Sequence, residues 1–79
     1  MNVTVRYFAA FREAAGVESE TLPSKATTAG ELFSECRDRH AALQDYHASM
    51  VAINEEMSQW DSTIKDGDEV LFFPPVAGG

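Results

Sequence analysis

Two apolar, strand-patterned segments stand near opposite ends of this 79-residue chain, with a capped amphipathic helix between them. In residues 2–8, Val3, Val5 and Tyr7 alternate with Asn2, Thr4, Arg6 and Phe8. Period two with β-branched residues marks a strand. Glu69-Val70-Leu71-Phe72-Phe73 is the other, preceded by the turn signal Asp66-Gly67-Asp68 and ended by Pro74-Pro75. The most apolar strands belong at the centre of a sheet, so these two are predicted side by side. A crossover through a helix makes such a pair parallel.

Between them, Thr28-Ala29-Gly30-Glu31 has the form of a capping box, in which Thr28 accepts from an early amide and Glu31 reaches back. Ala29, Leu32, Phe33, Cys36 and His40 then recur on one helical face, which predicts the main helix over 28–40. Ala9 to Gly16 is alanine-rich and stops at glycine, as a short helix does. Val17 to Leu22 reads as a charged edge strand with Glu18 and Glu20 as its polar series, closed by Pro23. Met50 to Asn54 is a short strand, and Met57 to Trp60 a candidate for another. Ala41 to Ser49 has no clear period. Strands before and after one main helix predict an α+β β-grasp, a mixed sheet of four to five strands with the helix on one face. The expected domain is 1–75, followed by a flexible Gly-Gly tail over 76–79.

A chain this short buries little core and gains from partners, disulfides or metals. One cysteine, Cys36, removes the disulfide and any Cys-x-x-Cys zinc site, and His40 and His47 lack ligand spacing, so no metal is expected. Six basic against 13 acidic residues give a net charge of −7, which argues against nucleic acid and anionic membranes. It fits a basic protein partner or pocket better. The N-terminus opens as a strand, without a signal-peptide pattern, and a lone thiol suits the reducing cytoplasm.

Strand parity adds a further expectation. If Val3, Val5, Tyr7, Val70 and Phe72 face the main helix, then Phe8, Leu71 and Phe73 point to the other face, into water. Burying each such side chain is worth about 1.5–3 kcal/mol, so together they suggest a docking patch. The other possibility is that Ala41–Ser49 or the tail folds over them.

The C-terminus is a chemical group in its own right. Pro74-Pro75 ends ladder pairing and directs the chain away from the sheet. Gly78 and Gly79 have no side chains, so they fit a narrow channel and leave the terminal carbonyl uncrowded. Activation by ATP would let a sulfur nucleophile displace AMP from that carbonyl. The same two glycines also fit a frayed end.

The run from Asp66 through Phe72-Phe73-Pro74-Pro75-Val76-Ala77 to Gly78-Gly79 resembles the C-terminus of the molybdopterin synthase small subunits, the MoaD family of ubiquitin-like sulfur carriers. Val3 to Glu13 with Ala15-Gly16 is similar to that family's first strand and short helix, and Val51-Ala52-Ile53-Asn54 to its middle strand and turn. The resemblance spans the chain, is most specific in the tail, and is least carried by Arg37–Ser49. It implies that an E1-like enzyme uses ATP to adenylate Gly79 and that a sulfurtransferase system converts it to a thiocarboxylate. The tail, threaded by Gly78, would then enter the large subunit, MoaE, and give its sulfur to cyclic pyranopterin monophosphate. It further implies a heterotetramer, no cofactor bound stably to this chain, and catalytic side chains on the large subunit. Phe8, Arg12, Leu71, Phe73, Pro74, Pro75 and Val76 fall where the family docks its partners.

Two other readings stay open. One is a β-grasp carrier of sulfur for thiamine or cysteine, or a ubiquitin-like protein modifier. The other is an interaction module without tail chemistry. No nucleophile–base set is visible for catalysis by this chain alone. Cys36 on the apolar helix face reads as a buried, inert thiol. His40 reads as a helix-end residue, His47 as a loop residue, Trp60 as core, and Glu55 and Glu56 as solvated.

Overall fold

The computed structural model describes residues 1–43 and 49–74. Its elements are β1 (Asn2–Tyr7), α1 (Ala10–Ala15), β2 (Ser19–Pro23), α2 (Ala29–Arg39), β3 (Met50–Ile53), β4 (Glu56–Ser58) and β5 (Glu69–Phe73). The five strands form one mixed sheet in the order β2-β1-β5-β3-β4. β1 and β5 are adjacent and parallel, with Val5 opposite Val70 and Tyr7 opposite Phe72. The predicted β-grasp is therefore present. β4 comes one residue earlier than the sequence suggests, and Trp60 lies in the turn after it.

One core lies between sheet and helices. Val3, Val5, Tyr7, Val70 and Phe72 reach it from the central strands, and Leu32, Phe33 and Cys36 from α2. Phe72 is wrapped in aromatics: Phe33 meets it edge-on at 4.8 Å and Trp60 stacks on it at 5.8 Å. Phe11 extends the cluster from α1, 5.4 Å from Phe33. Every buried residue of the two helices belongs to this core, so neither helix covers the opposite sheet face.

The local signals act largely as expected. Thr28 Oγ1 accepts from the Glu31 amide at 3.2 Å. The Glu31 carboxylate reaches one residue further back than the usual box, to the Thr27 amide at 2.8 Å, and that hydrogen bond holds its carboxyl below the ordinary range. Gly16 caps α1 in the left-handed conformation at φ 78°, where a side chain would be strained. Asp66 Oδ1 accepts from the Asn2 amide at 2.7 Å and Asn2 O from the Gly67 amide at 2.7 Å, pinning the turn before β5 to the start of β1. Cys36 is fully buried, and burial pushes its thiol up to about 11.

One expectation is reversed. Glu20 does not belong to an outward polar series, because it pairs with Val5 and shares the core face with Leu22. There it accepts from Tyr7 Oη at 2.7 Å and Arg39 at 3.0 Å, and meets His40 Nε2 at 2.6 Å. Tyr7 is buried in the core, which keeps its hydroxyl protonated and needing an acceptor. Glu20 meets that need and ties the end of α2 to the edge strand.

Burial opposes the charge on Glu20, but hydrogen bonds from Tyr7, His40 and Arg39 outweigh it and hold the carboxyl below its ordinary value. A depressed folded pKa gives stability that is present above the unfolded value and lost as pH falls through the folded one. The melting temperature should therefore drop as pH falls below about 4–5. Glu20→Gln should start lower at neutral pH and lose less over that interval. An unchanged acid limb in a melting series would contradict this role.

Candidate functional site

The face opposite the core is apolar toward the C-terminal ends of β1 and β5 and polar at their starts, where Thr21, Thr4 and Glu69 form a row, and the register shows why. Residues directly opposite in a ladder share a face. Ser19 lies opposite Arg6, Arg6 opposite Leu71, Leu71 opposite Ala52, and Ala52 opposite Met57, one row across all five strands. A second row begins with Phe73 opposite Met50. Phe8, two residues beyond Arg6, adds its ring to that row by stacking on Phe73 at 4.6 Å between centroids and 14° between planes. Such a pair is worth about 0.5–1.5 kcal/mol beyond the area it buries.

Of the residues expected at a docking surface, Phe8 and Phe73 stack on each other, Leu71 precedes Phe73 on the same face of β5, and Pro74 follows Phe73 in the chain. Phe8, Phe73 and Pro74 are half-buried. Leu71 is only 8% exposed, which corrects the expectation that it sits in water. It occupies the central strand, with neighbours on both sides and Phe73 next along the same face. Arg12 is exposed on α1, beside Phe11, which turns into the core. Pro75, Val76, Gly78 and Gly79 lie outside the described residues, as does His47.

The turn that leads from Phe8 into α1 carries strain. Ala9 has φ 51° and ψ −123°, and the Phe11 amide donates to Phe8 O at 3.0 Å. These angles belong to the first central residue of a type II′ turn, which favours glycine. Holding alanine there costs about 1–3 kcal/mol. The turn lets β1 end with Phe8 on one face while Phe11 fills the other.

Arg6 is the charged member of the face. Its guanidinium carbon lies 5.9 Å from the Phe8 ring centroid, and its nitrogens are 3.9 Å from Glu18 and 3.8 Å from Glu69. These pairs are loose and solvated, so they orient Arg6 more than they stabilise the fold. Arg6, Met50, Ala52 and Met57 had no functional reading in the sequence. Met50-Val51-Ala52-Ile53 is apolar throughout, so only the pairing register separates its two faces.

The face offers apolar and aromatic contact with a few polar groups, which is what a protein partner uses. Among the described residues, no group of three or more His, Cys, Asp or Glu is gathered to hold a metal ion.

The ThiS family pattern matches residues 5–79. The molybdopterin synthase sulfur carrier subunit of Haemophilus influenzae is 36% identical over 98% of this chain and 99% of its own. SAMP1 of Haloferax volcanii has a solved structure with a TM-score of 0.85 at 26% identity, covering both chains completely. A chain in the complex of subunits 1 and 2 of molybdopterin-converting factor from Helicobacter pylori also covers both chains completely, with a TM-score of 0.65 at 27% identity.

Replacing Ala9 with glycine should relieve the strained turn. Ala9→Gly is expected to raise the stability of the isolated chain by about 1 kcal/mol, net of the entropy that glycine adds to the unfolded state. A lower midpoint in denaturant titration would show that the turn is not strained.

Proposed function

This chain belongs to the ThiS family, alongside the molybdopterin synthase sulfur carrier subunits it resembles, and from that premise we propose that it is the sulfur-donating subunit of a molybdopterin synthase. The observation that carries this reading is the apolar face at the root of the tail. Phe8 stacks on Phe73, the last residue of β5, where the chain leaves the sheet for Gly78-Gly79.

In this reading the fold presents and the tail reacts. An E1-like enzyme binds the sheet face and receives the tail. The Gly79 carboxylate attacks ATP to form an acyl–AMP anhydride and release pyrophosphate. A sulfurtransferase persulfide attacks the carbonyl, the carbonyl–oxygen bond to AMP breaks, and a thiol reductant cleaves the resulting acyl disulfide, leaving the thiocarboxylate and the sulfurtransferase thiol. The large subunit, MoaE, then occupies the same face and accepts the sulfur onto cyclic pyranopterin monophosphate. The assembly is a heterotetramer of two small and two large subunits in the cytoplasm. ATP is consumed by the activating enzyme, and no cofactor stays on this chain. Likeness to a chain from a complex of two converting-factor subunits supports the large-subunit partner.

Likeness to SAMP1, a small archaeal modifier protein, favours a second reading as a protein modifier. Both readings activate Gly79, and they part at the acceptor, sulfur in one case and a lysine amine in the other.

Incubation with ATP, an E1-like enzyme and a sulfur source should raise the intact mass by the difference between sulfur and oxygen. Adding the large subunit and pyranopterin should remove that increment and yield molybdopterin. Transfer to lysines without molybdopterin would favour the modifier. A chain lacking Gly79 should fold and bind the large subunit but fail to support product formation, and retained activity would overturn the carrier role. Phe73→Ala should weaken large-subunit binding about tenfold or more. It should cost the isolated chain less than the about 3 kcal/mol of a truncated core phenylalanine. The opposite ordering would reassign Phe73 to the core.

A further inference from the structure

The chain carries four protein sulfur atoms, in Met1, Met50, Met57 and Cys36. Their settings differ sharply. Cys36 is 0% exposed inside the core, whereas Met57 is 63% exposed, Met50 44% and Met1 42%. Thioether oxidation follows access by the oxidant. Met57 also lies on β4, an edge strand with no neighbour on its outer side.

Two of the three exposed methionines share the docking face. Met50 is opposite Phe73, and Met57 is opposite Ala52 in the row that contains Leu71. Met1 is not among them: it precedes β1, with its terminal amine directed at Ser24 O at 3.3 Å. Methionine suits a contact surface because its side chain is flexible, polarizable and free of hydrogen-bond demands. Oxidation removes that suitability. A sulfoxide oxygen is a strong acceptor, and burying it against apolar groups without a donor is costly.

We propose that Met50 and Met57 form an oxidation-sensitive flank of the docking face, and that converting their thioethers to sulfoxides releases the molybdopterin synthase large subunit. This rests on the docking reading above, with the large subunit as the occupant. The step is balanced with a peroxide as oxidant: one oxygen passes to sulfur, the O–O bond breaks, and water leaves. Methionine sulfoxide reductases, with a thiol reductant, reverse it. The fold would survive, because neither side chain belongs to the core.

The test treats the full chain with hydrogen peroxide, maps oxygen addition by peptide mass, and measures the Kd for the purified large subunit. Met57 should oxidise first and Cys36 last. Sulfoxide at Met50 and Met57 should raise Kd about tenfold with the melting curve retained, and reductase treatment should restore it. Sulfoxide confined to Met1, reached in a Met50→Leu/Met57→Leu variant, should leave that variant's own Kd where it was before treatment. An unchanged Kd in chains oxidised at Met50 and Met57, while Phe73→Ala still weakens binding, would overturn this inference and leave the docking reading standing. An unchanged Kd in both would remove the docking reading and the inference with it. A rise in Kd that tracks loss of the folded state would also count against the flank.

Discussion

Val5 lies opposite Val70 and Tyr7 opposite Phe72 in a parallel ladder, so the first and last strands finish at the same end of the sheet. Most of the other features follow from this pairing. It requires a crossover, which the capped helix α2 and its loops supply. It fixes parity, sending Val3, Val5, Tyr7, Val70 and Phe72 under the helices. It also leaves Leu71 and Phe73 of β5, with Arg6 and Phe8 at the end of β1, on a face that neither helix covers. The exit of the chain from β5 is therefore beside the end of β1, where Phe8 meets Phe73.

A small domain does not ordinarily leave such a surface without a use. The core already has its aromatic packing around Phe72, so Phe8 and Phe73 add little to it. The strain at Ala9 points the same way, because the turn holds Phe8 on one side and Phe11 on the other. Backbone strain of this kind collects at sites that bind or react. The reading that unites these features has a rigid sheet face engage a partner while the adjoining tail does the chemistry. Fold stability and reactivity are then separate properties of one chain, joined at Pro74.

Much of the fold was legible because its strongest signals are local. Alternation in β1, the Thr28 cap and the apolar stripe of α2 each need only a short window of sequence. The parity of β1 and β5 follows from the side that faces the helix, and it places Phe8, Leu71 and Phe73 on the other face. What could not be read depended on pairing. Glu20 resembles a solvated edge charge until its register with Val5 turns it toward Tyr7 and His40. Leu71 looks exposed until its place in the central strand is known. Met50 and Met57 gain a face only from β3 and β4 pairing. Ala9 gave no turn signal, because alanine is not a turn residue and its conformation is imposed by what lies on either side.

The central claim is that the sheet face at the root of the tail is where the large subunit docks. Its most direct test is a nitrogen-15 NMR titration of the labelled chain with unlabelled large subunit. Amide shifts should move for Phe8, Leu71, Phe73 and their cross-strand neighbours Ala52 and Met57, while the outward face of α2 around Glu31, Ser34 and Asp38 stays still. Shifts concentrated on α2, with the Phe8–Phe73 edge unperturbed, would contradict it.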